Sequence, residues 1–198
     1  MATFPTTPVP TNVYPFSVEY ATILGGPYKA GGVVARAARA YELYGVEMQW
    51  SKRSRSAVSG LFEFFRSQLG RAGRFVMVDF QGWNASPLGV DWVKVYTCVA
   101  TAGQTVVPLP STNGSSFTLY KNDVAVSGAA WTLGAGGLHA GGDKATFGSG
   151  LTAGDVITTS FHGQRTFNAR FTSDRMNVQW DSVDLLGLAL SVVEDRTE

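Results

Sequence analysis

Few side chains in this sequence have the type and spacing that chemistry demands. The two histidines, His139 and His162, each lack a nearby Cys or His at the spacing of a zinc site, so neither is expected to hold a metal. The single thiol, Cys98, lies in Tyr96-Thr97-Cys98-Val99, which reads as strand interior without any cysteine-enzyme motif, and a buried structural role is expected. Gly134-Ala135-Gly136-Gly137 and Gly148-Ser149-Gly150 are glycine-rich, as phosphate-cradling loops are. Neither is followed by Lys-Ser/Thr, nor set between a strand and a helix, so they read as loops. Asp79, Asp174, Asp181 and Asp184 are the carboxylates a glycosidase pair would draw on, yet nothing in the sequence places two of them across a cleft, and turn or strand-end roles explain them more simply.

Two further groups point to binding rather than catalysis. Trp83, Trp92 and Trp131, with Tyr96 and Tyr120, offer the aromatic faces on which a sugar stacks; core and interface packing is the competing use of the same residues. The basic residues Lys52, Arg53 and Arg55 precede a predicted helix, and Arg71 and Arg74 follow it. They read as helix-end charges and partners for a neighbouring subunit, with phosphate contact inside a channel as the alternative. No catalytic residue, cofactor or metal site is expected, and the chain is not expected to be an enzyme.

The elements that carry these residues are mostly strands. Tyr44, Val46, Met48 and Trp50 alternate with Gly45, Glu47 and Gln49, the period of a half-buried strand. Val58, Leu61, Phe62, Phe65 and Leu69 then fall at helical spacing, with Ser54 or Ser56 as cap and Gly70 as stop, predicting one helix over about 56–69. Arg74 to Phe80 reads as a strand broken by Gln81-Gly82-Trp83-Asn84. From Pro87 to Thr159 there is no helical period, only short runs at Trp92–Val99, Thr105–Leu109, Phe117–Tyr120 and Val156–Ser160, with a predicted hairpin over Leu119–Val126 and a long surface loop over Leu133–Gly150. Alternation returns in Phe167, Ala169 and Phe171, in Met176, Val178 and Trp180, and in Leu186, Leu188, Leu190 and Val192. Three strands are predicted there, pairing with those around the helix. The expected architecture is mainly β: a sandwich or barrel-like ring domain formed by residues 1–85 and 161–198, carrying the helix, with a small all-β domain inserted over residues 86–160.

The segment from Phe4 to Pro27 holds five of the eight prolines and predicts an extended arm or irregular edge strand, of the kind that packs on a neighbour. Hydrophobic residues make up 44% of the 198, enough for a core. The start lacks a basic, apolar leader and no stretch approaches the roughly 18 apolar residues of a membrane span, so a soluble, uncleaved chain suited to a reducing cytoplasm is expected. A net charge of +1 with mixed signs argues against a nucleic-acid binder. Charged residues are only 16%, against about 25% in ordinary domains, which favours permanent contact with other chains.

One stretch carries a resemblance. From Leu61 through Phe64-Phe65-Arg66-Ser67-Gln68-Leu69-Gly70 to Phe75-Val76-Met77-Val78-Asp79-Phe80, the chain resembles a family of phage minor tail proteins in which a helix ending in a Phe-Phe pair leads through a glycine turn to a Phe-rich strand with an aspartate. Phe4-Pro5-Thr6, Tyr41 to Trp50-Ser51, Arg165 to Arg175, and the ending Val193-Glu194-Asp195-Arg196 fit the same pattern in the same order. The family's Gly-Tyr-Glu-x-Arg-Asn element is replaced here by Ala40-Tyr41-Glu42-Leu43-Tyr44. The resemblance spans Phe4 to Arg196 and implies a distal tail protein of long-tailed phages and gene transfer agents. Such a protein is a structural virion component, assembled in the host bacterial cytoplasm as a homohexameric ring that joins the tail tube protein to the hub and tip proteins. DNA is then only passing cargo, and nothing inserts in a membrane. The alternative is a carbohydrate-binding tail module that contacts the host surface through the aromatic residues above.

Overall fold

A strand of sixteen residues organises the molecule. The computed structural model describes residues 1–18, 22–24, 35–37, 43–78, 80 and 90–195. In chain order they form β1 (Ala2–Thr3), β2 (Asn12–Val18), β3 (Thr22–Leu24), β4 (Ala35–Ala37), β5 (Leu43–Ser54), α1 (Arg55–Ser67), β6 (Phe75–Val78), β7 (Val90–Val99), β8 (Val106–Lys121), β9 (Val124–Ala125), β10 (Trp131–Ala135), β11 (Gly142–Phe147), β12 (Val156–Phe171), β13 (Asn177–Trp180) and β14 (Leu185–Glu194). The fold is mainly β with one α-helix among the described residues, as the patterning predicts.

The long strand is β12, and its partners change along its length. Val156 to Arg165 pair antiparallel with β7 on one side and β8 on the other. From Thr166 to Phe171 the partners are β6 and β14. Two hydrophobic clusters follow from this division. Val46, Met48, Trp50, Phe75, Phe167, Phe171 and the inward residues of β14 form one beneath α1. Val107, Leu109, Leu119, Ala145, Phe147 and Ile157 form the other between β8, β11 and β12. The sequence runs Val156–Ser160 and Phe167–Phe171 are therefore pieces of one strand, and so are Phe117–Tyr120 and all of Thr105–Leu109 but Thr105 itself, within β8. Asn113 and Ser116 take positive φ (52° and 53°) where the ladder between β8 and β12 shifts register, which hid the continuity from a period-two reading.

In the first half of the sheet the order is β1-β6-β12-β14-β5-β2, with β13 also beside β14. The chain start connects its two edges. Phe4 donates its amide to the Val76 carbonyl beside β6, and seven residues later the Thr11 amide donates to Gln49 on β5. Between them the Pro8 carbonyl accepts from Trp50 Nε1 at 2.8 Å and the Val9 carbonyl accepts from Arg53 at 3.2 Å. Phe4 is buried within a cluster of Phe64, Phe75, Phe80 and Phe171, with ring centroids 5.4 to 6.3 Å away. The predicted arm thus folds back on its own body over residues 1–18, because an aromatic side chain at position 4 has an apolar site to fill there. Its continuation to Pro27 lies outside the described residues, save for β3. Among the described residues β2 is an edge strand, as the prolines suggested.

Helix α1 starts where predicted: the Ser54 hydroxyl accepts from the Ala57 amide at 3.3 Å. Its end differs. Leu69, in phase with Leu61 and Phe65, lies beyond the helix in the left-handed region (φ 52°) and is 77% exposed, so the reversal begins one residue before Gly70. The Gly73 amide then donates to Gln68 O, and a Cβ on Gly73 would stand 2.4 Å from that oxygen, which only glycine avoids.

Two other expectations need correction. The stretch Leu133–Gly150 is not a long surface loop; β10 and β11 form a hairpin there, in register from Trp131↔Phe147 to Ala135↔Asp143. Its glycines permit close backbone approach, a Cβ on Gly137 falling 1.9 Å from the Asp143 carbonyl oxygen. Strand β13 forms as predicted but does not face the core: all four of its residues are exposed, Trp180 by 60%. It pairs with β14 at the open side of the sheet, uncovered by any of the described residues. The hairpin at Leu119–Val126 is as read, with Asn122 and Asp123 both at positive φ.

That hairpin is tied to the start of β12 by Asp155. This buried carboxylate accepts from the Thr152 amide and from the Asn122 side chain, each at 3.0 Å, with Lys121 at 3.7 Å, while Asn122 Oδ1 accepts from the Val156 amide. The Thr152 amide, Asn122 and Lys121 together hold its pKa below the ordinary value, against the opposing effect of burial. A depressed folded-state pKa gives stability that is complete above the unfolded value of 3.8 and is lost as pH falls through the folded one. Urea midpoints measured from about pH 5 to pH 2 should therefore fall more steeply for the parent than for Asp155→Asn. Parallel curves would remove Asp155 from the acid response.

Candidate functional site

The residues most like a built site lie where the two halves of the sheet meet. Arg165 is the last β12 residue paired with β8, and it is buried with its guanidinium over the Tyr44 ring, 4.0 Å from the centroid. Trp92 and Phe167 stand 5.3 and 5.8 Å from it. Its charge meets Glu194 of β14, also buried, at 3.2 Å, and Glu194 accepts from the Tyr44 amide at 3.1 Å. Tyr44 comes from β5, Trp92 from β7 and Glu194 from β14, so one cation joins strands of both halves.

Next to this pair, Asp195 takes two arginines. Arg74 reaches it at 2.9 Å and Arg170 at 2.6 Å, while the Asp195 amide donates to Asn168 O. Arg74, Cys98, Thr166, Asn168, Glu194 and Asp195 line part of a cavity of about 490 Å³ beside the junction. Its acids are paired with arginines of the same chain, so the arrangement ties the strands of the two halves together as a clasp.

The residues singled out by sequence are distributed around this clasp rather than gathered in it. Trp92 belongs to it, its Nε1 donating to Gly163 O at 3.2 Å and its ring packing on Tyr44. Trp131 packs against the second hydrophobic cluster, and Tyr120 lies beneath Lys94. Tyr96 lines the cavity. Asp79 and Trp83 lie outside the described residues. Arg74 serves Asp195, whereas Arg71 pairs with Asp174 at 3.0 Å at the helix exit and Arg53 bonds Val9. Asp181 accepts from the Lys52 amide at 3.2 Å, and Asp184 and Arg55 stand exposed.

His162 meets Asp91 at 2.8 Å near the surface. His139 Nδ1 accepts from the Gly141 amide, leaving Nε2–H to donate to Thr112, whose hydroxyl also shares a hydrogen bond with that of Thr166 at 2.7 Å. Among the described residues no three His, Cys, Asp or Glu side chains are grouped so as to hold a metal ion. Gly134 and Ala135 lie in β10, and Gly136-Gly137 begins the turn to β11.

Cys98 is on β7, half-buried at the cavity wall, and burial pushes its thiol up to about 11. Relative to the ordinary 9.0 this leaves about a hundredfold less thiolate at neutral pH. A thiol reagent should accordingly label the native chain about a hundredfold more slowly than the urea-unfolded chain. Equal rates would place the thiol in open solvent.

The clasp does carry a signal in the sequence. Arg165 is in phase with the inward residues Phe167, Ala169 and Phe171, and Glu194 with Leu186, Leu188, Leu190 and Val192. Opposite charges in the buried phase of two strands are a pairing signal.

No protein-family model matches the chain, and no curated protein matches it significantly.

Proposed function

We propose that the chain is a structural, non-enzymatic subunit of a phage-type tail, forming a distal ring that joins the tail tube to the hub and tip. The observation that supports this most is where the resembling segments lie in space. Phe4, Phe64-Phe65, Phe75–Val78, Thr166–Phe171 and Val193–Asp195 are far apart in sequence. They meet on β6, β12 and β14 and in the core beneath α1. Motifs kept in order that also converge on one core behave as parts of a single framework.

In this reading residues 1–85 and 161–198 build the ring and residues 86–160 are the insertion, while six copies meet head to tail through two different patches. The sides of β13 and β2 that no described strand pairs with lie at different places on the sheet and suit such contacts. DNA passes the bore without being gripped, in keeping with the net charge of +1. The particle would be assembled in the host cytoplasm and the subunit retained in the virion tail. The test is a cryo-EM reconstruction of intact particles: a six-fold ring of this chain at the tube–tip junction is the expected result. Density on a peripheral fibre, or none in the particle, would overturn it in favour of glycan binding.

A further inference from the structure

A groove of about 440 Å³ runs between α1 and β13. Phe62, Val178, Trp180 and Leu186 give it an apolar lining, and Arg55 and Arg66 stand on its rim with Glu63. Both arginines are exposed, and neither guanidinium has a hydrogen-bond or ion-pair partner among the described residues. At the end of β13 the chain turns through Asp181-Ser182-Val183-Asp184, closed by the Asp181 and Ser182 amides donating to Leu185 O. Val183 at its tip is 91% exposed, the most exposed of the large hydrophobic residues among those described.

We propose that the Asp181–Asp184 turn of one copy docks in the α1–β13 groove of another copy of this chain. The turn offers an apolar tip between two carboxylates, and the groove offers an apolar floor flanked by Arg55 and Arg66, whose two positive charges outweigh the single negative charge of Glu63 on the same rim. The two surfaces match in polarity and in charge sign. The turn does not use the groove of its own chain, since Val183 projects into solvent. A four-residue turn covers far less than the roughly 800 Å² per partner of a stable interface, so the contact is one part of a larger one. It rests in that respect on the ring reading, where further surfaces of the same two copies meet. Trp180 is the anchor expected to carry most of the affinity.

The test uses the full chain. Ser59→Cys and an epitope-tagged Val183→Cys are purified separately, mixed and oxidised; Cys98, with its thiol near 11, supplies a slow background. A disulfide-linked pair containing both chains is expected. Sedimentation velocity gives the companion measurement. Trp180→Ala and Val183→Asp should weaken association roughly tenfold or more, and Asp184→Arg should do the same until Arg66→Asp is added to reverse the pair. If the parent assembles and these variants assemble equally, without the mixed disulfide, the contact is wrong while the ring stands. If the mixed disulfide forms in a closed dimer, the contact holds and the ring fails. A parent that stays monomeric with no disulfide overturns both.

Discussion

Replacing Arg165 with alanine is expected to destabilise the protein by about 3–5 kcal/mol, the cost of leaving one member of a buried ion pair without the other. Both side chains are 8% exposed, so solvent does little to screen the Glu194 carboxylate that remains. The same change removes the cation from above Tyr44 and Trp92. For a chain of this length such a loss lowers Tm by about 10 °C or somewhat more. Arg165→Lys keeps the charge but not the planar group that lies over the rings, and should fall between parent and alanine. Pairing Arg165→Met with Glu194→Leu should recover much of the loss, because no charge is then buried alone. Urea unfolding of the parent and the three variants gives the result directly. A loss under about 1 kcal/mol for alanine would make the pair a surface-like contact.

Phe4→Ala should cost about 3–5 kcal/mol, the range for emptying a buried aromatic site. Four phenylalanines surround the ring, and two of them, Phe75 and Phe171, also pack on each other at 4.8 Å. Removing residues 1–11 should do more. It takes away Phe4, the Pro8 acceptor of Trp50 and the Val9 acceptor of Arg53, and it uncovers the edge of β6. Hydrogen exchange should then speed up first at the amides of β6. If the shortened chain unfolds at the same urea concentration as the parent, the segment is decoration and the sheet closes without it.

The parts of this fold that were legible in the sequence are those where one face is buried and the period is unbroken. The alternation of Val46, Met48 and Trp50, and of Leu186 to Val192, reads directly because a half-buried strand repeats every two residues. The helix reads because Ser54 supplies a cap. What failed to read has a physical reason in each case. Glycines at Gly134 and Gly142 thin out the apolar signal of β10 and β11, and the register shifts beside Asn113 and Ser116 break the phase of β8. Val178 and Trp180 alternate like core residues but are exposed, since periodicity reports a face without saying what that face meets. The clasp is hard to read because charged residues ordinarily mark surface or chemistry, whereas Arg165 and Glu194 occupy apolar phase.

The continuity of β12 has a mechanical consequence. If the two halves of the molecule were pulled apart, no slack tether would lie at residue 165 to be drawn out first, since Val156 to Phe171 is hydrogen-bonded to neighbours along its length. Load entering one half travels along the backbone into the other, and is borne in shear by ladders on both flanks of the strand. Separation there means drawing β12 out of one of its sheets, so the two halves transmit a push or a twist as a stiff lever does.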